Sequence, residues 1–145
     1  MSQEQEAQAI YPRFWERFYA AYRPFAEEEP ENVHFVKIPS SVDGVWFAFV
    51  VTLRQGARLE LYIDKHDEEL NDGIFRRLKS HKAEIEGAVG SPLVWHDEAG
   101  GNMRRRIDLD IVTSGIADEG EWEKVIDAFC QKMPRFIKAI EKFLR

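Results

Sequence analysis

Apolar and polar residues alternate strictly through Ala57-Arg58-Leu59-Glu60-Leu61-Tyr62-Ile63-Asp64, and the alternation returns, with Arg105 as its one exception, through Met103-Arg104-Arg105-Arg106-Ile107-Asp108-Leu109-Asp110-Ile111. A two-residue period puts successive side chains on opposite faces of a strand. Each stretch therefore predicts a strand with one apolar face and one face dense in charge, as in a sheet covered by helices on one side only. Between the two, Ile74, Phe75, Leu78, Ile85 and Val89 recur at helical spacing. They predict one helix over residues 72–89, with Asn71 or Asp72 as its N-cap and Gly90 with Pro92 as its stop.

The remaining pattern completes the order. Ile10, Tyr11, Phe14, Trp15, Phe18, Tyr22 and Phe25 form a broad apolar face of a first helix over 4–25, bracketed at its end by Pro24 and Pro30. Strands are expected over 33–38 and 45–53, the second apolar on nearly both faces and hence central in the sheet. Gln55-Gly56 turns into the strand over 57–64. Residues 93–96 and 103–112 read as a hairpin around Gly100-Gly101-Asn102. A last helix is expected over 119–144, with Trp122, Val125, Ile126, Phe129, Met133, Phe136, Ile137, Ile140 and Phe143 inward and Pro134 kinking or dividing it. The order α-β-β-β-α-β-β-α, joined by short connections, implies an α+β fold. Its mostly antiparallel sheet has about five strands, with three helices on one face. No repeat or linker divides residues 1–145, so one domain is expected.

Composition narrows the classes. A chain that is 44% hydrophobic and 12% aromatic has enough apolar surface to fold. Its net charge of −6 argues against indiscriminate nucleic-acid binding, while leaving room for a local basic patch. The acidic runs at 27–31 and 64–69 read as solvated loops. One cysteine, Cys130, excludes an internal disulfide and a cysteine-based zinc site. The opening Met1-Ser2-Gln3-Glu4-Gln5-Glu6 lacks the basic and apolar regions of a signal peptide, and no apolar run approaches the ~18 residues of a membrane span. A soluble cytoplasmic protein without cofactor is the expectation.

The candidate chemistry lies on the charged strand faces. Arg58, Glu60, Tyr62 and Asp64 share one face of the first alternating strand, and Arg104, Arg106, Asp108 and Asp110 share one face of the second. Residues two apart sit ~6.6 Å apart on a strand face. Arg104 and Arg106 can thus engage successive phosphates or two carboxylates, with Trp46 and Tyr62 as stacking surfaces. Trp46, Arg58, Glu60, Tyr62, Arg104 and Arg106 are accordingly the candidate binding residues, for nucleic acid, a protein, or a second copy of the chain. The plainer reading is that Arg58 and Arg106 pair with Glu60 and Asp108 across strands. Arg105 shares parity with Ile107, Leu109 and Ile111, so it points to the core side; Glu86 or solvent at the strand end would have to receive it. The helix segment 76–86 adds Arg76, Arg77, Lys79 and Lys82.

No catalytic signature is present: no phosphate loop, dinucleotide fingerprint or serine elbow, and no metal-ligand spacing among His34, His66, His81 and His96. The opening α-β-β-β-α-β also matches the core order of the restriction-endonuclease-like fold. A metal-dependent nuclease of that kind would rest on Asp43 before the second strand and Glu60 on the third. Tyr62 occupies the position where such a site needs lysine.

With these positions in view, the chain resembles the bacterial and archaeal domain of unknown function 4268. The matching features are Trp15, the strand Arg58-Leu59-Glu60-Leu61-Tyr62-Ile63, and Phe75, Leu78, Lys82, Ile85 and Glu86. Gly90, Leu93, Trp95, the Arg106-Ile107 pair and Trp122 complete them, over roughly residue 10 to the end. Proteins of this kind tend to carry the domain after a nuclease-like one, near DNA-restriction or defence systems. The resemblance implies a non-enzymatic accessory or interaction module on nucleic-acid-acting machinery.

Overall fold

A computed structural model describes residues 3–22, 34–97 and 104–145. Its elements are α1 (Gln3–Ala21), β1 (Phe35–Pro39), β2 (Val45–Val51), β3 (Ala57–Ile63), α2 (Glu68–Lys79), α3 (Lys82–Val89), β4 (Val94–His96), β5 (Arg105–Ile111) and α4 (Trp122–Leu144), the last preceded by a 3-10 turn at Glu119–Glu121. The five strands form one sheet in the order β1-β2-β3-β5-β4, every neighbouring pair antiparallel. β3 and β4 therefore run parallel with β5 between them. A parallel return needs a long crossover, which α2 and α3 supply.

The alternation seen in the sequence becomes the division between core and open face. Ala57, Leu59, Leu61 and Ile63 of β3 join Phe47 and Phe49 of β2 and Ile107, Leu109 and Ile111 of β5 in one continuous cluster beneath the helices. Trp15, Leu78 and Phe129 belong to the same cluster. Aromatic edges knit α1 and α4 to the sheet. Phe18 lies 4.8 Å from Phe49 and Phe129 5.1 Å from Phe49, while Phe14 meets Trp122 at 5.7 Å. Each fully buried side chain of this size contributes ~1.5–3 kcal/mol relative to exposure. Among the described residues no helix is long and apolar enough to cross a membrane.

Among the described residues there are four α-helices where periodicity predicts three, because the expected helix over 72–89 is two. It starts earlier, at Glu68, where the Asp67 side chain caps the Leu70 amide. Neither Asn71 nor Asp72 is the cap; Asn71 is buried inside α2, and its side-chain oxygen accepts the Lys65 amide at 2.8 Å. The break falls at Ser80-His81. Ser80 Oγ turns back to the Arg77 carbonyl at 2.6 Å, the His81 amide bonds Leu78 O at 2.9 Å, and the His81 backbone leaves helical angles. Leu78 and Ile85 are seven residues apart, two turns, so the apolar stripe stays in phase across the break and hides it. Gly90 does stop α3, in a left-handed conformation with φ 86°. Pro134 does not divide α4, which runs unbroken through it with the proline on the solvent side. The predicted end of α1 at Phe25 and the turn at 100–102 lie outside the described residues.

Arg105 does point to the core side and is buried, but Glu86 does not receive it. Its Nη2 lies 3.6 Å from Asp72 Oδ1 of α2, and its Nη1 donates to the Arg104 carbonyl at 3.3 Å. Glu86 is engaged elsewhere, accepting the Leu93 amide at 2.8 Å and Trp95 Nε1 at 3.1 Å, and so fixes the entry to β4. Arg105→Ala is expected to cost about 1–3 kcal/mol through lost packing of its stem and a lost contact to Asp72. Arg104→Ala, on the open face, should melt close to the wild type. Equal melting temperatures for the two variants would refute the assignment.

Candidate functional site

The register turns the open face of the sheet into cross-strand rows. Pro39, Trp46, Tyr62, Arg106 and His96 stand side by side across all five strands. The next row is Lys37, Ala48, Glu60, Asp108 and Val94; beyond it lie Phe35, Val50, Arg58 and Asp110. The period-two pattern places each side chain outward, and the antiparallel pairing decides its neighbours.

The centre of this face is an ion-pair network. Arg58 Nε lies 3.2 Å from Glu60 Oε1 and 3.8 Å from Asp108 Oδ2, and Arg106 Nε lies 3.1 Å from Asp108 Oδ2 and 3.5 Å from Glu60 Oε1. His96 Nε2 lies 2.8 Å from Asp108 Oδ2 and 3.3 Å from an Arg106 terminal nitrogen, so its tautomer decides which of the two it serves. The pairing of arginines with carboxylates across strands is therefore present. Asp108 is only 2% exposed and Glu60 8%, although both face away from the helices. The arginine stems and His96 roof them over. Burial pushes both carboxyls up from their ordinary values, against the opposing pull of Arg58 and Arg106.

Beside this network the face sinks into a groove of about 380 Å³ lined by His34, Phe35, Lys37, Trp46, Ala48, Arg58, Glu60, Tyr62, Arg104 and Arg106. The small Ala48 opposite Glu60 makes the depression. Lys37 Nζ sits 4.7 Å from the Trp46 ring centroid and makes no ion pair among the described residues. The Arg104 guanidinium sits 5.7 Å from the Tyr62 ring and donates to its hydroxyl. Two of the lining cations thus lie on aromatic faces, and the other two belong to the network.

The model of a family described as a domain of unknown function, DUF4268, matches residues 10–144. The chain belongs to the DUF4268 family. Neither a curated protein nor a solved structure matches it.

In this DUF4268 domain all six residues singled out from the sequence, Trp46, Arg58, Glu60, Tyr62, Arg104 and Arg106, line the one groove. Asp43 does not join them. Glu60 stands opposite Ala48 inside the sheet, whereas Asp43 lies in the turn before β2 begins at Val45. Asp43 instead borders a separate dip with Asp64, Lys65 and His66, where Lys65 Nζ donates to the Asp43 carbonyl at 2.9 Å. Two carboxylates that line different depressions are not set to share one divalent ion at oxygen–metal distances of about 2.0–2.6 Å. With Tyr62 engaged by Arg104, the geometry gives hydrolysis through Asp43 and Glu60 no support. Among the described residues no three His, Cys, Asp or Glu side chains gather as metal ligands. Burial pushes the Cys130 thiol up, away from the reactive thiolate.

Lys37, Phe35 and His34 are groove residues that the sequence reading missed. Parity within Phe35-Val36-Lys37-Ile38 assigns Phe35 and Lys37 to one face. That this face adjoins Trp46 depends on β1 pairing with β2 in the observed register.

Proposed function

We propose that this DUF4268 domain is a non-enzymatic recognition module whose open sheet face binds single-stranded nucleic acid. One observation carries the reading: a single groove combines three aromatic side chains, Phe35, Trp46 and Tyr62, with four cations, Lys37, Arg58, Arg104 and Arg106. Glu60 and the adjacent Asp108 offset two of those charges, leaving a local excess of positive charge on a protein whose net charge is −6. Bases stack on aromatic platforms irrespective of sequence, and phosphates follow the cations beside them. Open sheets carrying aromatics take single strands in this manner, since unstacked bases can lie flat against them. The setting implied by the family resemblance, an accessory to DNA-acting or defence proteins, is compatible with such a role.

Fluorescence anisotropy with a labelled single-stranded oligonucleotide tests the proposal. Contact with three phosphates should give a slope near −2 for log affinity against log salt, at about 0.7 per phosphate. Combined Arg104→Ala and Arg106→Ala changes should weaken binding at least ~10-fold and flatten the slope. No binding, or binding indifferent to salt, would overturn it. Salt-insensitive self-association in sedimentation would assign the face to a second copy instead.

A further inference from the structure

One oxygen of Glu60 is left open to the groove. Both ion pairs that hold its carboxylate, to Arg58 Nε and to Arg106 Nε, converge on Oε1, and the Arg58 hydrogen bond goes to that same atom. Oε2 accepts no hydrogen bond from the described residues. Nor is it sealed from solvent, unlike Asp108 Oδ1, which is buried without a hydrogen-bond partner. Glu60 lines the groove, and with Oε1 engaged by the arginines Oε2 is the oxygen it has to offer a ligand. Ala48 across the strand pair leaves room above it. Trp46 and Tyr62, paired in register one row away, offer the flat surfaces beside it.

We propose that Glu60 is the base-reading residue of this face, selecting cytosine over thymine or uracil in a strand stacked on Trp46 and Tyr62. The inference rests on the nucleic-acid reading given above. Cytosine carries an amino group at ring position 4, and thymine and uracil carry a carbonyl oxygen at the same position. A carboxylate oxygen accepts from the first and repels the second. Arg58 and Arg106 hold Oε1, so the orientation of Oε2 is set before a base arrives. An acceptor that the stacked strand would seal from water, and that a wrong base would leave unsatisfied, is what gives such a site its selectivity. Arginine and lysine alone, aimed at phosphates, would bind all sequences alike.

The test compares equal-length oligo-dC and oligo-dT by anisotropy at pH 7.5 and fixed salt. The wild type is expected to bind oligo-dC at least ~10-fold more tightly. Glu60→Gln, whose amide can turn either a donor or an acceptor to the base, should bring the two affinities together. A second measurement needs no variant: an oligomer of N4,N4-dimethylcytosine, which has no amino hydrogen, should lose the advantage on the wild-type protein. Equal binding of oligo-dC and oligo-dT with the salt slope intact defeats base reading and leaves the binding face standing. So does a preference that survives in Glu60→Gln or in the dimethylated oligomer. Failure of every oligomer to bind overturns the underlying reading and this inference with it.

Discussion

Gly115→Ala is expected to cost about 3 kcal/mol or more and to lower the melting temperature by ~10 °C. Gly115 has φ 108°, a region that L side chains rarely adopt, and a Cβ there would lie 2.3 Å from Leu53 O and 2.6 Å from the Arg54 amide nitrogen. Those atoms are backbone of the β2–β3 turn and cannot swing aside. The Ile116 amide bonds Thr52 O and the Ala117 amide bonds Leu53 O, both at 2.9 Å, so the segment after β5 is stitched to that turn. Relieving the clash would break these bonds and shift the start of α4, where Trp122 Nε1 donates to Ile116 O at 2.8 Å. Gly87, in α3 with open space around it, is the control. Its change to alanine should stabilise by ~0.5–1 kcal/mol through helix propensity alone. Thermal melts by circular dichroism decide the matter, and a Gly115→Ala melt within about 2 °C of the wild type would show that the turn yields easily.

Asp108→Ala is expected to cost about 2–3 kcal/mol, and Asp108→Asn clearly less. Alanine removes the carboxylate shared by Arg58, Arg106 and His96, leaving Glu60 to balance the two arginines and His96 without its carboxylate partner. Asparagine keeps the shape and an acceptor while removing a desolvated charge. The pH dependence follows from the same burial. A carboxyl whose folded pKa lies above its unfolded one favours the fold when protonated. Its contribution is complete below the ordinary value of 3.8 for Asp108 and is lost as pH rises through the elevated folded value. Glu60 is shifted in the same direction. Denaturant melts from acid to neutral pH should therefore show part of the wild-type stability falling across that window, and Asp108→Asn should remove part of the fall. An Asn variant as damaged as the Ala variant would show that the charge, not the shape and the acceptor, holds the network together.

The shared test of both predictions is whether the middle of β5 and the turn that follows the strand act independently. Gly115 lies past its last residue and Asp108 near its middle, with no contact partner in common among those described, so their effects should add. Addition would locate the sheet's rigidity in separate local devices.

Much of this architecture was legible because burial is one-sided. Alternation in Ala57–Ile63 and, Arg105 apart, in Arg105–Ile111 marks one face for the core wherever the strands lie, so strand identity and side-chain facing follow from local order alone. Helical spacing in α1 and α4 announces their buried stripes for the same reason. The family's features were legible likewise, since they are spaced core and strand positions. Residue order along the chain does not state which strands pair. Only the tertiary structure brings β1 beside β2, placing Lys37 over Trp46, and inserts β5 between β3 and β4, placing His96 beside Asp108. The Ser80-His81 break was invisible because a seven-residue step preserves the apolar phase, and a side-chain bond back to the Arg77 carbonyl leaves no trace in a hydrophobic pattern. Asp108 and Glu60 read as solvent-facing because alternation reports a face, not a depth. Their burial comes from long arginine stems folded over them, a consequence of neighbours in space that a one-dimensional period does not encode.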